Sequence, residues 1–151
     1  MKTTKIYLAA PLFSLGEREF NSRLANSIAK QMPRINFILP QDYAKCIIEQ
    51  EGFLDKVFNN CISSIDEADA LLCILDGSDI DSGTCIEMGY AYAIKKVIIG
   101  VRTDFRSSED KGVNLMVSKV CNEMIWLPST LLTMEQLVEE ISVTLKRVLK
   151  L

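Results

Sequence analysis

Histidine is absent from this chain of 151 residues. That absence excludes Ser-His-Asp and Cys-His nucleophilic machinery and the usual imidazole metal ligands. Acid-base or nucleophilic work therefore falls to carboxylates, tyrosines, lysines or thiols. No CxxC pair occurs among the five cysteines, which stand at 46, 61, 73, 85 and 121. An odd number of cysteines, three of them inside apolar runs, reads as reduced thiols acting as small hydrophobes and points to a reducing cytoplasm. Long hydrophobic runs are missing too. The longest are strand-sized and no cationic leader precedes an apolar segment, so neither export nor a membrane span is expected. Basic clusters are lacking as well: the formal net charge is -3 and Lys and Arg are scattered. Such a surface argues against nucleic acid as the main partner and for a small ligand.

The pattern that is present reads as one domain, residues 1–151, long enough to bury about two thirds of its unfolded surface. Lys5 to Pro11 is apolar and predicts a first strand. Phe20, Leu24, Ile28 and Met32 then mark one face of a helix. Ile35 to Leu39 predicts a second strand stopped by Pro40, and 41–52 is read as loop with a possible short helix. Phe53 to Ala68 predicts a helix, Ala70 to Leu75 a buried third strand, and Thr84 to Lys96 the next helix. Val97 to Val101 predicts a fourth strand in which Gly100 permits close backbone approach. Residues 102–120 are read as a long loop with an apolar island at Val113 to Val117, the kind of loop that is usually functional. Asn122 to Leu127 predicts a fifth strand, and a final amphipathic helix begins at Thr133-Met134-Glu135-Gln136, a capping box. Strands alternating with helices imply right-handed crossovers and a parallel sheet covered on both faces. The fold class expected is α/β, flavodoxin-like and doubly wound, with strand order 2-1-3-4-5. Its ligand crevice opens where the winding reverses, at the carboxyl ends of strands 1 and 3.

Those ends hold Tyr7 to Phe13 and the stretch Asp76-Gly77-Ser78-Asp79-Ile80-Asp81-Ser82-Gly83-Thr84-Cys85-Ile86-Glu87. Glu87 sits among Ile86, Met88, Tyr90 and Ala91 on a helix that its neighbours should cover. A buried carboxylate needs partners or a job. Tyr7 is either a core tyrosine with a satisfied hydroxyl or a partner for Glu87 across adjacent strands. Asp81 is either the N-cap of the following helix or a site residue. Asp76 and Asp79 are read as turn residues. Neither GxxxxGK[ST] nor GxGxxG is present, so phosphate or dinucleotide binding on this loop is not supported. Three aspartates could gather Mg²⁺ or Ca²⁺, but the twelve-residue ligand pattern is absent, and no metal is expected.

Several segments together match one known family. KIYLAAPLFS at the start, Asp81-Ser82-Gly83-Thr84-Cys85-Ile86-Glu87-Met88-Gly89 as a DxGTxxExG core, Tyr90-Ala91-Tyr92-Ala93 after it, and Asn114-Leu115-Met116 resemble the nucleoside 2-deoxyribosyltransferase family. The resemblance implies cofactor-independent exchange of 2-deoxyribose between bases in nucleotide salvage. Carried over by position, Glu87 would be the nucleophile, forming a covalent deoxyribosyl ester that a second base opens with net retention. Tyr7 would orient it, and Asp81 would accept a hydrogen bond from the sugar's 5′-hydroxyl. Asn114 would complete the neighbouring subunit's site in a homo-oligomer, and Phe13 and Met116 would wall base and sugar. Ser82 and Gly83 would lie against the sugar end.

A carboxylate at position 81 suits a neutral 5′-hydroxyl and would repel a 5′-phosphate, which favours free deoxynucleosides and free nucleobases as substrates. One departure matters. Where many members place an acid that protonates the leaving base, this chain has Cys61, with the amides of Asn59 and Asn60 beside it. A thiol is a poor substitute for a carboxylic acid. Two further readings stay open: Ser82, a hydroxyl residue next to Asp81, keeps a 2′-deoxynucleoside 5′-monophosphate N-glycosidase in view, and Cys61 in place of the usual acid suggests a catalytically weak nucleoside-binding domain.

Overall fold

Alternation of side chains along three central strands, with both faces apolar, sets the layering. In the computed structural model, which describes residues 3–107 and 112–151, Ile6, Leu8, Leu72, Ile74, Ile99 and Val101 feed one core. Tyr7, Ala9, Leu71, Cys73, Leu75 and Ile98 feed another on the opposite face. A strand buried on both sides carries apolar residues at odd and even positions alike, as these do.

Among the described residues the elements run β1 (Thr4–Ala9), α1 (Leu15–Gln31), β2 (Ile35–Ile38), α2 (Pro40–Ile47), α3 (Phe53–Glu67), β3 (Ala70–Ile74), α4 (Ser82–Ala93), β4 (Val97–Arg102), α5 (Leu115–Val120), β5 (Glu123–Trp126) and α6 (Met134–Leu149). All strand pairs are parallel and the order is β2-β1-β3-β4-β5, as the sequence pattern predicts. Helices α1 and α6 pack together over the first core, while α3, α4 and α5 lie side by side over the second. No helix among the described residues is long and apolar enough to cross a membrane.

Several boundaries differ from the sequence reading. The short helix left open for 41–52 is realised as α2 and begins one residue earlier, because Pro40 both ends the strand and takes the first helical turn, where its missing N–H costs nothing. The helix expected from Thr84 begins at Ser82, because the Asp81 carboxylate accepts hydrogen bonds from the Thr84 backbone N–H at 2.8 Å and from its hydroxyl at 3.0 Å. It also ends early, at Ala93. Lys95 turns left-handed at φ 60, the Lys95 N–H donates to Tyr92 O, and the Lys96 N–H donates to Ala91 O. That pairing closes a helix with the 6→1 and 5→2 bonds usually given to glycine. The long loop 102–120 contains α5, whose first turn is capped by the Asn114 side chain accepting from Met116 N–H at 2.8 Å. Residues 108–111 of that loop lie outside the described residues. The capping box of α6 is present as expected, and α1 has a second one between Ser14 and Glu17.

Gly100 fulfils the close-approach reading. A Cβ built there would stand 2.4 Å from Met124 Sδ, 2.9 Å from Cys121 Sγ and 2.9 Å from Leu75 Cδ1. Gly100→Ala is therefore expected to destabilise the fold by about 1 to 3 kcal/mol through overpacking between β3, β4 and β5, read as a lower urea midpoint at unchanged slope.

Candidate functional site

At the switch point, where the topology expects a ligand crevice, β1, α3 and α4 pack against one another. Helix α4 lays Thr84, Met88 and Ala91 onto the sheet, a helical stripe that leaves Glu87 at its margin beside the carboxyl ends of β1 and β3. Tyr7 reaches the same margin from β1, since odd positions of that strand face α3 and α4. The phenol is fully buried, and its hydroxyl donates to Glu87 Oε1 at 2.6 Å. Both readings of Tyr7 hold together: it is a core side chain whose polar tip is satisfied by Glu87. Cys61, one turn before the buried Ile65 on α3, lies against this pair and interacts with the Tyr7 hydroxyl.

Burial dominates the electrostatics here. It raises the Glu87 carboxyl, the Tyr7 hydrogen bond opposes that rise, and the nearby Asp81 charge adds to it, so that Glu87 is pushed up to about 7. The Tyr7 hydroxyl is driven well above the usual phenol range, by burial first and by the Glu87 charge second. Tyr7 is thus a donor at every working pH. Burial also raises the Cys61 thiol, with the Tyr7 contact opposing and Glu87 adding to the rise, which keeps the sulfur protonated at neutral pH. Glu87 is therefore a carboxylate poised between its two forms, with one oxygen held by Tyr7 and Oε2 free of any described partner.

The structure brings Tyr7, Cys61, Asp81 and Glu87 together through these contacts and charges. Asp81 spends Oδ2 on the α4 cap, so its N-cap reading is realised; Oδ1 stays open to a further donor. Ser82 and Gly83 form the exposed first turn of α4, and Asn60 is half-buried on α3. Phe13 and Met116 stand 75% and 72% exposed, on the loop after β1 and at the start of α5. Asn114, also exposed, serves as the α5 cap, and none of its hydrogen bonds reaches Glu87. Among the described residues no group of three or more Cys, Asp or Glu side chains could hold a metal ion.

Residues that hold the crevice loops escaped the sequence reading. Arg18 donates to the carbonyls of Leu12 at 3.0 Å and Phe13 at 2.7 Å. Asn21 donates to Pro11 O and to Gln41 Oε1, and Gln41 donates to Arg18 O and Ser22 Oγ. Both amides are almost fully buried, so this network pins the loop that carries Phe13. Asp76, read as a turn residue, instead clasps the next strand's exit. Its carboxylate accepts from Thr103 N–H at 2.6 Å, Thr103 Oγ1 at 2.5 Å and Asp104 N–H at 2.9 Å. A signal existed for two of them: Gln41 sits in the first turn of the helix that follows β2, and Asp76 lies just past the end of β3 beside β4.

A doubly wound α/β protein with a tyrosine-bound carboxylate at the switch point is the class that fold and site define. Comparison with known proteins supplies the family. The nucleoside 2-deoxyribosyltransferase family model matches residues 6–116, and the chain belongs to that family. A conserved protein of Enterococcus faecalis superposes with TM-score 0.71 at 25% identity, covering 94% of this chain and 99% of that one. A 2-deoxyribosyltransferase of Bacillus psychrosaccharolyticus gives TM-score 0.67 at 24% identity, with 81% and 85% covered. One from Leishmania mexicana gives 0.64 at 22%, with 90% and 97% covered. These share the fold. No curated protein sequence matches the chain at a significant level.

The raised carboxyl has a stability consequence that can be measured. Glu87 binds its proton more tightly folded than unfolded, so its contribution is present below about pH 4.5 and is lost as pH rises through about 7. Wild-type stability is expected to fall by roughly 2 kcal/mol between pH 5 and 8 from this group, after allowance for its partial exposure. Glu87→Gln should remove that slope in urea titrations at the two pH values and leave the variant the more stable protein at pH 8.

Proposed function

We propose that this protein transfers 2-deoxyribose between the nucleobases of deoxynucleosides through a covalent ester on Glu87. The single observation that carries the reading is the 2.6 Å hydrogen bond from Tyr7 to Glu87 at the switch point of a chain that belongs to this family. Tyr7 holds Oε1, which leaves Oε2 of the ionised carboxylate to attack the anomeric carbon. The C–O ester bond forms as the C–N bond breaks, and the departing base keeps the bonding electron pair. A second base nitrogen then attacks the same carbon from the vacated face, the ester opens, and the carboxylate is returned. Two inversions give retention.

The residues around Glu87 take supporting parts. Asp81 Oδ1 accepts from the 5′-hydroxyl, and its charge disfavours a 5′-phosphate, so deoxynucleosides are preferred to their monophosphates. Ser82 and Gly83 form the wall at that end, with Asn60 and Cys61 on the base side. Cys61, a neutral thiol with a raised pKa, hydrogen-bonds the base but delivers a proton poorly. The exposed apolar side chains Leu54, Phe58, Ile86, Leu115 and Met116 stand on α3, α4 and α5, which pack side by side. A second copy covering that face would bring the partner copy's loop over this crevice, so that each Asn114 completes the neighbouring site in a homo-oligomer.

Incubating the protein with deoxyinosine or thymidine and a second free base tests the reading: the exchanged nucleoside is expected. Absence of exchange across purine and pyrimidine pairs would overturn it, and sedimentation of the same preparation as a monomer would remove the part given to Asn114. Turnover should rise with pH to a plateau above about 7, as Glu87 ionises, and Glu87→Ala should lose essentially all of it. Base release from deoxyguanosine 5′-monophosphate faster than from deoxyguanosine would point instead to the glycosidase. Cys61→Asp is expected to speed release of poor leaving bases by about tenfold or more. It should also shift the pH profile upward, because a second carboxylate beside Glu87 disfavours ionisation.

A further inference from the structure

Arg102 is the largest fully buried side chain in the protein, 1% exposed. It ends β4, and by alternation with Ile98 and Gly100 it points to the face that carries Tyr7 and Glu87. A buried guanidinium normally meets a carboxylate. Here, among the described residues, its hydrogen bonds go to main-chain carbonyls instead. Nη1 donates to Leu75 O and, at 2.9 Å, to Gly77 O; Nη2 donates to Arg106 O at 3.1 Å; Nε has no hydrogen-bond partner.

Those carbonyls belong to two different loops. Leu75 and Gly77 open the loop that leads to Asp81 and the cap of α4, whereas Arg106 lies on the loop that leads to Asn114 and the cap of α5. The second loop also returns to the same guanidinium. Gly112, at φ 85, passes so close that a Cβ there would stand 2.7 Å from Arg102 Nη2. Val113 next to it is buried in the core, and Asn114 follows. The clasp is doubled from the carboxylate side: Asp76 takes the amides of Thr103 and Asp104, and Asp104 accepts from Gly77 N–H at 3.0 Å. Arg106 in turn pairs with Asp104, whose carboxyl is held well below the usual range by that guanidinium and by backbone amides.

A charged, forked donor locked under two loops is costlier than an apolar filler of the same volume, and its use is geometric. We propose that Arg102 is a positioning residue for the sugar ends of two sites: it fixes the loop that presents Asp81 to this chain's own crevice and the loop that presents Asn114 to the neighbouring copy's. The proposal rests on the sugar-binding parts given above to those two residues. Glu87 and Tyr7 are held by α4 and β1 rather than by this clasp, so the chemical step should be nearly indifferent to Arg102 while substrate binding should not.

Arg102→Lys and Arg102→Met separate these effects. Both are expected to raise KM for a deoxynucleoside by about tenfold or more, with kcat within about threefold of wild type and the pH midpoint near 7 unmoved. Hydrogen exchange of the ligand-free protein should quicken at the amides of Gly77, Thr103 and Asp104, with Leu72 and Ile99 in the strands unchanged. Gly112→Ala, which presses on the guanidinium from the opposite side, should reproduce the KM rise and serves where the arginine variants do not fold. Unchanged KM with unchanged loop exchange would overturn the proposal. So would exchange that quickens evenly through the sheet with kcat falling as far as KM rises, which marks general destabilisation. If the wild-type protein turns over no deoxynucleoside, the reading of the site fails, while the exchange measurement still decides whether Arg102 joins the loops.

Discussion

Everything at the switch point depends on one hydrogen bond made under burial, from the Tyr7 hydroxyl to Glu87. Burial alone would neutralise the carboxyl, and the phenol donor restrains that tendency, so the group sits near 7 rather than far above it. The balance requires β1 and α4 to be fixed relative to each other within a few tenths of an ångström. A parallel sheet with both faces covered provides that fixity: β1 and β3 are adjacent, α4 springs from the end of β3, and the stripe Thr84, Met88 and Ala91 seats the helix on the sheet. The carboxylate is thereby a cost to the fold at neutral pH, in keeping with the strain and frustration that active sites carry.

The loops around that bond are held by a different kind of interaction. Arg18 in the first turn of α1, reaching back over the loop after β1, and Arg102 with Asp76 at the ends of β4 and β3, tie main-chain carbonyls and amides down rather than packing side chains. Loops lack the repeating ladder of a strand or helix, so buried backbone groups in them need dedicated partners. Two arginines, the aspartates Asp76 and Asp104, and the buried amides of Asn21 and Gln41 supply them. The exposed apolar side chain of Phe13 then projects from a loop that Arg18 and the buried amides pin.

Much of the fold was legible because its signals are local. Six-residue apolar runs such as Ala70 to Leu75, the helical face Leu54-Val57-Phe58-Cys61-Ile62-Ile65 and the Thr133 capping box each act over a few neighbours. The strand order follows from alternation of those elements and the right-handed crossover rule. Boundaries were less legible where one residue's context decides. Pro40 starts a helix as well as stopping a strand, Asp81 draws α4 back to Ser82, and Lys95 adopts the left-handed turn that composition would assign to glycine. Glu87 stood out as a buried acid needing a partner, and Asp81 as a cap. Asp76, Gln41 and Arg102 stood out less, since most of their partners lie about twenty or more residues away in the chain and many are backbone atoms.

The sequence by itself determined the layered α/β architecture and singled out Glu87 as an acid on a covered helix, because patterning of apolar residues and the lone acid within that helix need no knowledge of distant contacts. Tertiary structure decided what that acid is worth. Only burial, the approach of Tyr7 from β1 and the charge of Asp81 at the head of the same helix set the charge state of Glu87, and only the crossing of two loops over Arg102 gives that arginine its place. Both effects depend on separations of a few ångströms in a medium of low dielectric, a quantity that exists only once the chain has closed on itself.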